Sequence, residues 1–360
     1  MPLRRSPLFL LSAFLIGGVA ACDLPNAILD LAEEGTPRFQ ARFAVPVEAM
    51  AVGVESFLPD FITVVDGLFL AAVEESSASR TLGAACPACV PLHGQLANKP
   101  GFADTMVVTA FMPEDVISAT LAGGVARLEI THDFGFDPLR PGPGASGVLT
   151  IAIMNQGSVI GSIAIDEPFP SGATIVRDVP ITPGVVTGEF VAVAVLVSPP
   201  GSPTFIDRNR SMSVVLRPRD ILIEEAVLRV EDRSVDVEEI DLDLSDIHES
   251  LRERIRGGAV RLAIENPFAV AGDLQLRVTG NGNQVVRGIS VAAHQTGDVW
   301  QSVVLSRSDF EQVLDERLLL SVHGSVDAPP EGVTVRPNQE IQIDARVEFE
   351  LILGLGGGDL

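Results

Sequence analysis

The chain has 360 residues, with 25 Lys and Arg against 48 Asp and Glu, a formal charge of −23 and 46% hydrophobic residues. That acidity repels a phosphate backbone or an anionic lipid surface, so nucleic acid is excluded as a partner. With no Tyr and a single Trp, a transmembrane β-barrel is excluded as well, because its aromatic girdles could not be built.

Residues 1–21 have three zones: Arg4 and Arg5, an apolar segment from Leu8 to Ile16, and the small residues Gly17 to Ala21. This is the layout of a secretory signal peptide, and the apolar segment is too short to span a bilayer, which takes about 20 residues. Val19-Ala20-Ala21 leads directly into Cys22. The arrangement resembles the lipobox of bacterial lipoproteins, an aliphatic residue and two small ones before a cysteine. The resemblance implies that Cys22 becomes the mature N-terminus, carrying diacylglycerol on its sulfur, and that the membrane is a partner through these acyl chains. A thiolate is the natural nucleophile for such a modification. The implied location is the bacterial cell envelope, facing the periplasm or the surface. Asp23 leaves the choice between inner and outer membrane open. Residues 22–35 are read as a tether.

Cys86 and Cys89 are the only other cysteines, in "GAACPACVPLHG". In an oxidising compartment two close thiols are expected to pair as a disulfide. A thioredoxin-like role would require the motif to open a helix, against which Pro91 and Gly94 argue. Zinc held by Cys86, Cys89 and His93 would need a fourth ligand, and none stands out nearby.

The chain repeats itself. "GGVARLEI" at 123–130 recurs as "GGAVRLAI" at 257–264. Before each, a short helix is expected: from Pro113 to a stop at Gly123, and from Ser245 or Asp246 through about Arg256 to a stop at Gly257. After each, alternating apolar residues flank a polar turn, around Asn155-Gln156-Gly157 and around Gly280 to Asn283, the pattern of a β-hairpin. In the second copy Ser308 and Glu311 suggest a capping box opening a helix from Asp309 to about Glu316, absent from the first copy at Thr182-Pro183-Gly184. Many short period-two strands with frequent turns indicate an all-β protein of two tandem Ig-like or LEA-like β-sandwiches with a few short helices. The expected modules are 36–210, carrying an insertion at 66–105, and 211–353, with 354–360 as a flexible tail.

In the second module a strand running into Asn266-Pro267-Phe268, a hairpin and later "LLLSVHGSV" resemble the late-embryogenesis-abundant type 2 and WHy (water stress and hypersensitive response) domain over about 235–350. The first module departs from that motif, with Thr131-His132-Asp133 in place of the Asn-Pro. The resemblance implies a non-catalytic sandwich suited to stress protection or to apolar or membrane ligands.

No nucleophile elbow, zinc-binding helix or phosphate loop is present. The histidines, His93, His132, His248, His294 and His323, read as scattered single residues. Asp241, Asp243 and Asp246 resemble a calcium loop in part, but its central glycine is missing and Arg252 stands where the final Glu belongs. Their alternation with Ile240, Leu242 and Leu244 is that of a strand with one wet face. The expectation is a lipid-anchored, non-enzymatic envelope protein with no cofactor, no metal and no catalytic residue. It would bind a protein or ligand or serve a structural role; the alternative is a carrier of lipids or other apolar ligands in a groove between sheets, and a third reading is an envelope enzyme whose residues converge from loops.

Overall fold

The computed structural model describes residues 38–354, apart from 48, 246 and 248–252. Cys22, the signal segment, the tether, His248, Asp246, Arg252 and residues 355–360 therefore lie outside the described residues. The protein is all-β. In chain order the elements are β1 (Arg38–Pro46), β2 (Met50–Gly53), β3 (Ile62–Val65), β4 (Leu68–Ala71), β5 (Ser76–Thr81), the short helix α1 (Leu82–Ala85), β6 (Gln95–Asn98), β7 (Phe102–Phe111), β8 (Val116–His132), β9 (Val148–Asn155), β10 (Ser158–Ile165), β11 (Thr174–Ile181), β12 (Gly184–Val186), β13 (Glu189–Ser198), β14 (Pro203–Ile206) and β15 (Ser211–Leu228). There follow β16 (Arg233–Asp243), β17 (Ile255–Glu265), β18 (Ala271–Gly280), β19 (Asn283–Val291), β20 (Trp300–Leu305), the helix α2 (Arg307–Val313), β21 (Arg317–Asp327), β22 (Val333–Val335) and β23 (Glu340–Gly354).

The sequence repeat is a repeat of strand order. One module has a sheet β10-β9-β13-β7 facing a sheet β11-β8-β15, with β5 and β4 on the far side of β15. The other has β19-β18-β21-β16 facing β20-β17-β23, with β2 and β1 on the far side of β23. Alternating side chains from both inner faces fill each interior, Leu128, Ile151, Ala194 and Leu216 in one module and Leu262, Leu276, Val322 and Val347 in the other, all nearly inaccessible to solvent.

The boundaries differ from those expected in two places. β1 and β2 pair with β23, so the start of the chain completes the C-terminal sandwich, while β15 is the central strand of the other one. The C-terminal module is thus built from both ends of the chain, and the module between β3 and β15 is set within it. Residues 66–105 are also more than an insertion, because they supply β4 and β5, the counterparts of β1 and β2.

Neither Gly-Gly pair ends a helix. Gly123 and Gly124 lie inside β8, and Gly257 and Gly258 inside β17. The β-branched Val116, Ile117 and Thr120 favour strand. Pairing of β8 with the whole of β15 then decides the matter, with Leu128 opposite Leu216 and Ala119 opposite Ala226. The second glycine of each pair makes room for a close neighbour. A Cβ on Gly258 would lie 2.0 Å from the Glu348 carbonyl oxygen, and one on Gly124 would lie 2.7 Å from Ile221 Cδ1. Beside Gly123 the ladder shifts register between Arg219 and Leu222, and Asp220 takes a positive φ of 49° that bends β15. The hairpins form as expected, with Gln156-Gly157 and Asn281-Gly282 both at positive φ, the type I′ geometry that matches strand twist. α2 begins two residues earlier than expected, and its capping box is Ser306 with Asp309 rather than Ser308 with Glu311.

The modules meet end to end. β22, from the loop before β23, pairs with the last residues of β15, Val333 opposite Leu228. Arg233 pairs with Asp115 at 3.3 Å and Arg336 with Glu225 at 2.6 Å across the same junction. β15 runs from Ser211 to this junction and β23 runs from it to Gly354, which pairs with Arg38. The described chain therefore begins at one pole, and Cys86 and Cys89, just past Thr81 opposite Ser211, mark the other.

Candidate interaction face

The two modules share one frame, so features found in one and not its twin are not demanded by the fold. Three stand out.

The first is the outer face of the sheet β10-β9-β13-β7. The strand register sets four rows across it: Ala103, Val197 and Val148; Thr105, Val195, Thr150 and Ala164; Val107, Val193, Ala152 and Ser162; Thr109, Val191, Met154 and Val159. None of these side chains is charged, and Glu189 opposite Phe111 marks the edge. Val107, Phe111 and Val159 are 53%, 67% and 59% exposed, far above what a buried strand face allows. An antiparallel sheet with one wet side should alternate apolar with polar residues; "EFVAVAVLVS" instead reads as a strand covered on both faces. The twin face carries Asp236, His323 and Gln275 in one row and Arg277 and Ser321 in another. The two sheets that face these carry ion pairs on their exposed sides, Arg217 with Glu129 at 2.9 Å and Arg261 with Glu348 at 3.1 Å, while the short β6-β14 pair exposes Leu96 opposite Phe205.

The second is the pole holding the cysteines. Cys86 and Cys89 form a disulfide, both fully buried, so these sulfurs are unavailable as free thiols or zinc ligands. The loop hangs on backbone bonds, with the Leu82 and Gly83 N–H groups donating to the Arg210 and Arg208 carbonyls. His93 instead faces Asp207, 3.5 Å away, and accepts from the Arg208 N–H. Lys99 is buried; its ammonium donates to the carbonyls of Pro199 and Pro100 and sits 4.8 Å from the Phe102 ring centre. Burial pushes its pKa down to about 8.

The third is His132, which the sequence repeat aligns with Asn266. Asn266 Oδ1 accepts from the Phe268 N–H at 3.0 Å, and its Nδ2 donates to the carbonyls of Val270 and Ala292. His132 does the same work: Nδ1 accepts from the Phe134 N–H at 3.3 Å and Nε2 donates to the Phe169 carbonyl at 2.8 Å. The module that lacks Asn-Pro thus keeps its hydrogen bonds. These partners require the neutral ring, and burial holds the His132 pKa below its ordinary value, against opposing pulls from Phe169, Asp137 and Asp133.

His323 is not the isolated histidine it seemed. Its Nε2 lies 2.9 Å from Ser321 Oγ and its Nδ1 2.5 Å from Asp236 Oδ1, the connectivity of a Ser-His-Asp triad. Access is inverted, however. Ser321 is 2% exposed, leaving no room for a substrate carbonyl, while the Asp236 side chain is 73% exposed. The order is that of a cross-strand polar ladder. His294, at positive φ, faces the Pro267 carbonyl. Asp241 pairs with Arg317 and Asp243 accepts from the Ser245 N–H, in keeping with a solvated strand edge, and no cluster of metal ligands occurs among the described residues. No helix among them is long and apolar enough to cross a membrane.

No family model and no curated protein matches the chain. Among solved structures it is similar to a protein inferred to be secreted from Parabacteroides distasonis ATCC 8503, at 11% identity over 88% of this chain and 100% of that one, with a TM-score of 0.35. It is also similar to the structure of infectious bursal disease virus Gt strain, at 11% identity over 82% of this chain and 74% of that one, with a TM-score of 0.16. At these scores neither likeness bears on function.

Proposed function

We propose that this is a non-catalytic lipoprotein of the bacterial cell envelope, held to a membrane by acyl chains on Cys22, whose inner module presents an apolar sheet face to a protein partner. The observation that carries the reading is the uncharged outer face of β10-β9-β13-β7, set against the polar face of its twin. The layout supports it. The described chain starts at the pole away from the module with the apolar face, so the module built from both chain ends is the spacer. β15 and β23, of 18 and 15 residues, give the spacer and presenting module together an extended run on the order of 100 Å. A membrane surface fits the face poorly as occupant, since its four rows contain no Lys, Arg, Trp or Tyr to sit at a headgroup layer.

Two experiments test the reading. Cys22→Ser in the full-length protein should move it from the membrane pellet to the aqueous fraction; unchanged retention contradicts the anchor. A photo-crosslinking residue at Val195 should give discrete protein adducts in intact cells and one at Gln275 should not; no adduct at Val195 contradicts the partner face.

A further inference from the structure

We propose that the occupant of this face is a second copy of the chain, packed sheet on sheet about a twofold axis. The proposal rests on the face being a protein-binding surface and adds the identity of the partner.

Three observations point to a second copy. First, composition distinguishes classes of interface. A surface that meets varied partners is about as polar as the rest of a protein, whereas homodimer interfaces are more apolar and poor in charge. Four rows without a charged side chain, on a chain of net charge −23, belong to the second class. Two such chains repel wherever carboxylates face each other, and this sheet is the place where they can meet without doing so.

Second, the side chains suit sheet-on-sheet packing. The rows hold small and β-branched residues, Ala152, Val191, Val193 and Val195, on a sheet with its two ends marked by Phe111 and Val197. Aligned faces of this kind pack at about 10 Å, as the inner faces of a sandwich do. A twofold axis places the same surface on both sides of the contact, the commonest arrangement in soluble oligomers.

Third, the area suits a pair. Four strands about 4.8 Å apart and rows spanning about 27 Å give a plane on the order of 500 Å² per copy, hence roughly 1,000 Å² per pair. That is the threshold for a specific interface, so the dimer should be concentration-dependent rather than permanent.

The neighbouring edge strand agrees. β7 is a 10-residue edge strand that keeps an unbroken register with β13 and bears Val107 and Phe111 outward. β16, at the same place in the twin, is guarded by a register shift between Val237 and Ile240 and by Asp236, Asp241 and Asp243. Guarding of that kind is how proteins prevent association at a sheet edge. It is lighter on β7, which keeps its register throughout and has a single charge, Asp104, turned inward to Arg80 at 3.0 Å.

The test is sedimentation of the detergent-purified full-length protein over a concentration series reaching about 50 μM, where a threshold-sized interface should be populated. A reversible dimer is expected. Val193→Arg, which would bury an unpaired charge, should raise its dissociation constant by at least about tenfold, and so should Val107→Arg at the exposed margin. Gln275→Arg on the twin face should leave it unchanged. Circular dichroism checks that each variant folds, and Val107→Arg, being on an exposed edge, keeps the test alive should Val193→Arg not fold. A monomer throughout the series, or a dimer indifferent to both arginines, overturns the proposal. If Val195 crosslinks in cells to a chain of another mass while the purified protein is monomeric, the second copy is refuted and the partner face stands. If Val195 gives no adduct at all, both fail.

Discussion

At the scale of single residues, the clearest lesson is His132. It occupies the position that Asn266 fills in the other module and makes the same turn from a different side chain, with one ring nitrogen accepting from the chain two residues on and the other donating across the sandwich. His132→Asn should therefore fold well, whereas His132→Ala strands the Phe134 N–H and the Phe169 carbonyl at about 1–3 kcal/mol each. The pH dependence follows from the direction of its shift. Because folding lowers the His132 pKa, the unfolded chain takes the proton first, so the stability from the neutral ring is complete above about pH 6.5 and is lost as pH falls below it. Urea titrations of the wild type and His132→Asn from pH 8 to pH 5 should show the wild type losing the excess. Parallel curves would contradict the assignment. In the sequence Thr131-His132-Asp133 looked like the loss of a motif, because a hydrogen-bonding role carried by another residue type leaves no trace in composition or spacing.

At the scale of elements, hairpins were legible and glycine pairs were not. Gln156-Gly157 and Asn281-Gly282 announce themselves because a two-residue turn demands positive φ, which few residues supply. Gly123-Gly124 and Gly257-Gly258 resemble helix stops, and only the partner strand reveals that the second glycine of each pair makes room for a close neighbour, the Ile221 side chain at Gly124 and the Glu348 backbone at Gly258. Gly258→Ala should accordingly cost more than the roughly 0.5 kcal/mol at most typical of a surface substitution and behave as an overpacking change of about 1–3 kcal/mol, measurable as a fall in denaturation midpoint. Gly257→Ala, whose Cβ would meet nothing nearer than 3.4 Å, should be mild. Equal effects would mean that the pair serves conformational freedom after all. The disulfide is a local clamp of the same kind. Joining cysteines three residues apart closes a small loop, so replacing both by Ser should cost about 2 kcal/mol and leave the fold intact.

At the scale of the whole molecule, the repeat was visible in the sequence, but the ownership of the strands was not. The expected boundaries, 36–210 and 211–353, gave each module its own stretch of leading chain. In fact β1 and β2 close the C-terminal sandwich, because β23 offers them its open edge over nearly its whole length. Long-range pairing of this sort has no local signature. The apolar face was equally hidden: 46% hydrophobic residues could all have been core. Only register, by placing Val191, Val193, Val195 and Val197 outward beside Met154 and Val107, separates the covered half of β13 from the uncovered half. The same register shows the twin sheet to be polar at matching places, which makes the contrast a property of one module rather than of the fold.

The most direct test of this account uses Val195→Cys in the full-length protein: with Cys86 paired to Cys89 and Cys22 acylated as proposed, the new thiol is the one free to react. Its rate of maleimide labelling is measured in intact membranes and again after dilution in detergent. The account predicts strong protection in membranes, relieved on dilution, with a cysteine at Gln275 labelled equally in both. Equal, rapid labelling of Val195→Cys under both conditions would show the apolar face to be bare in its native setting and would contradict the account.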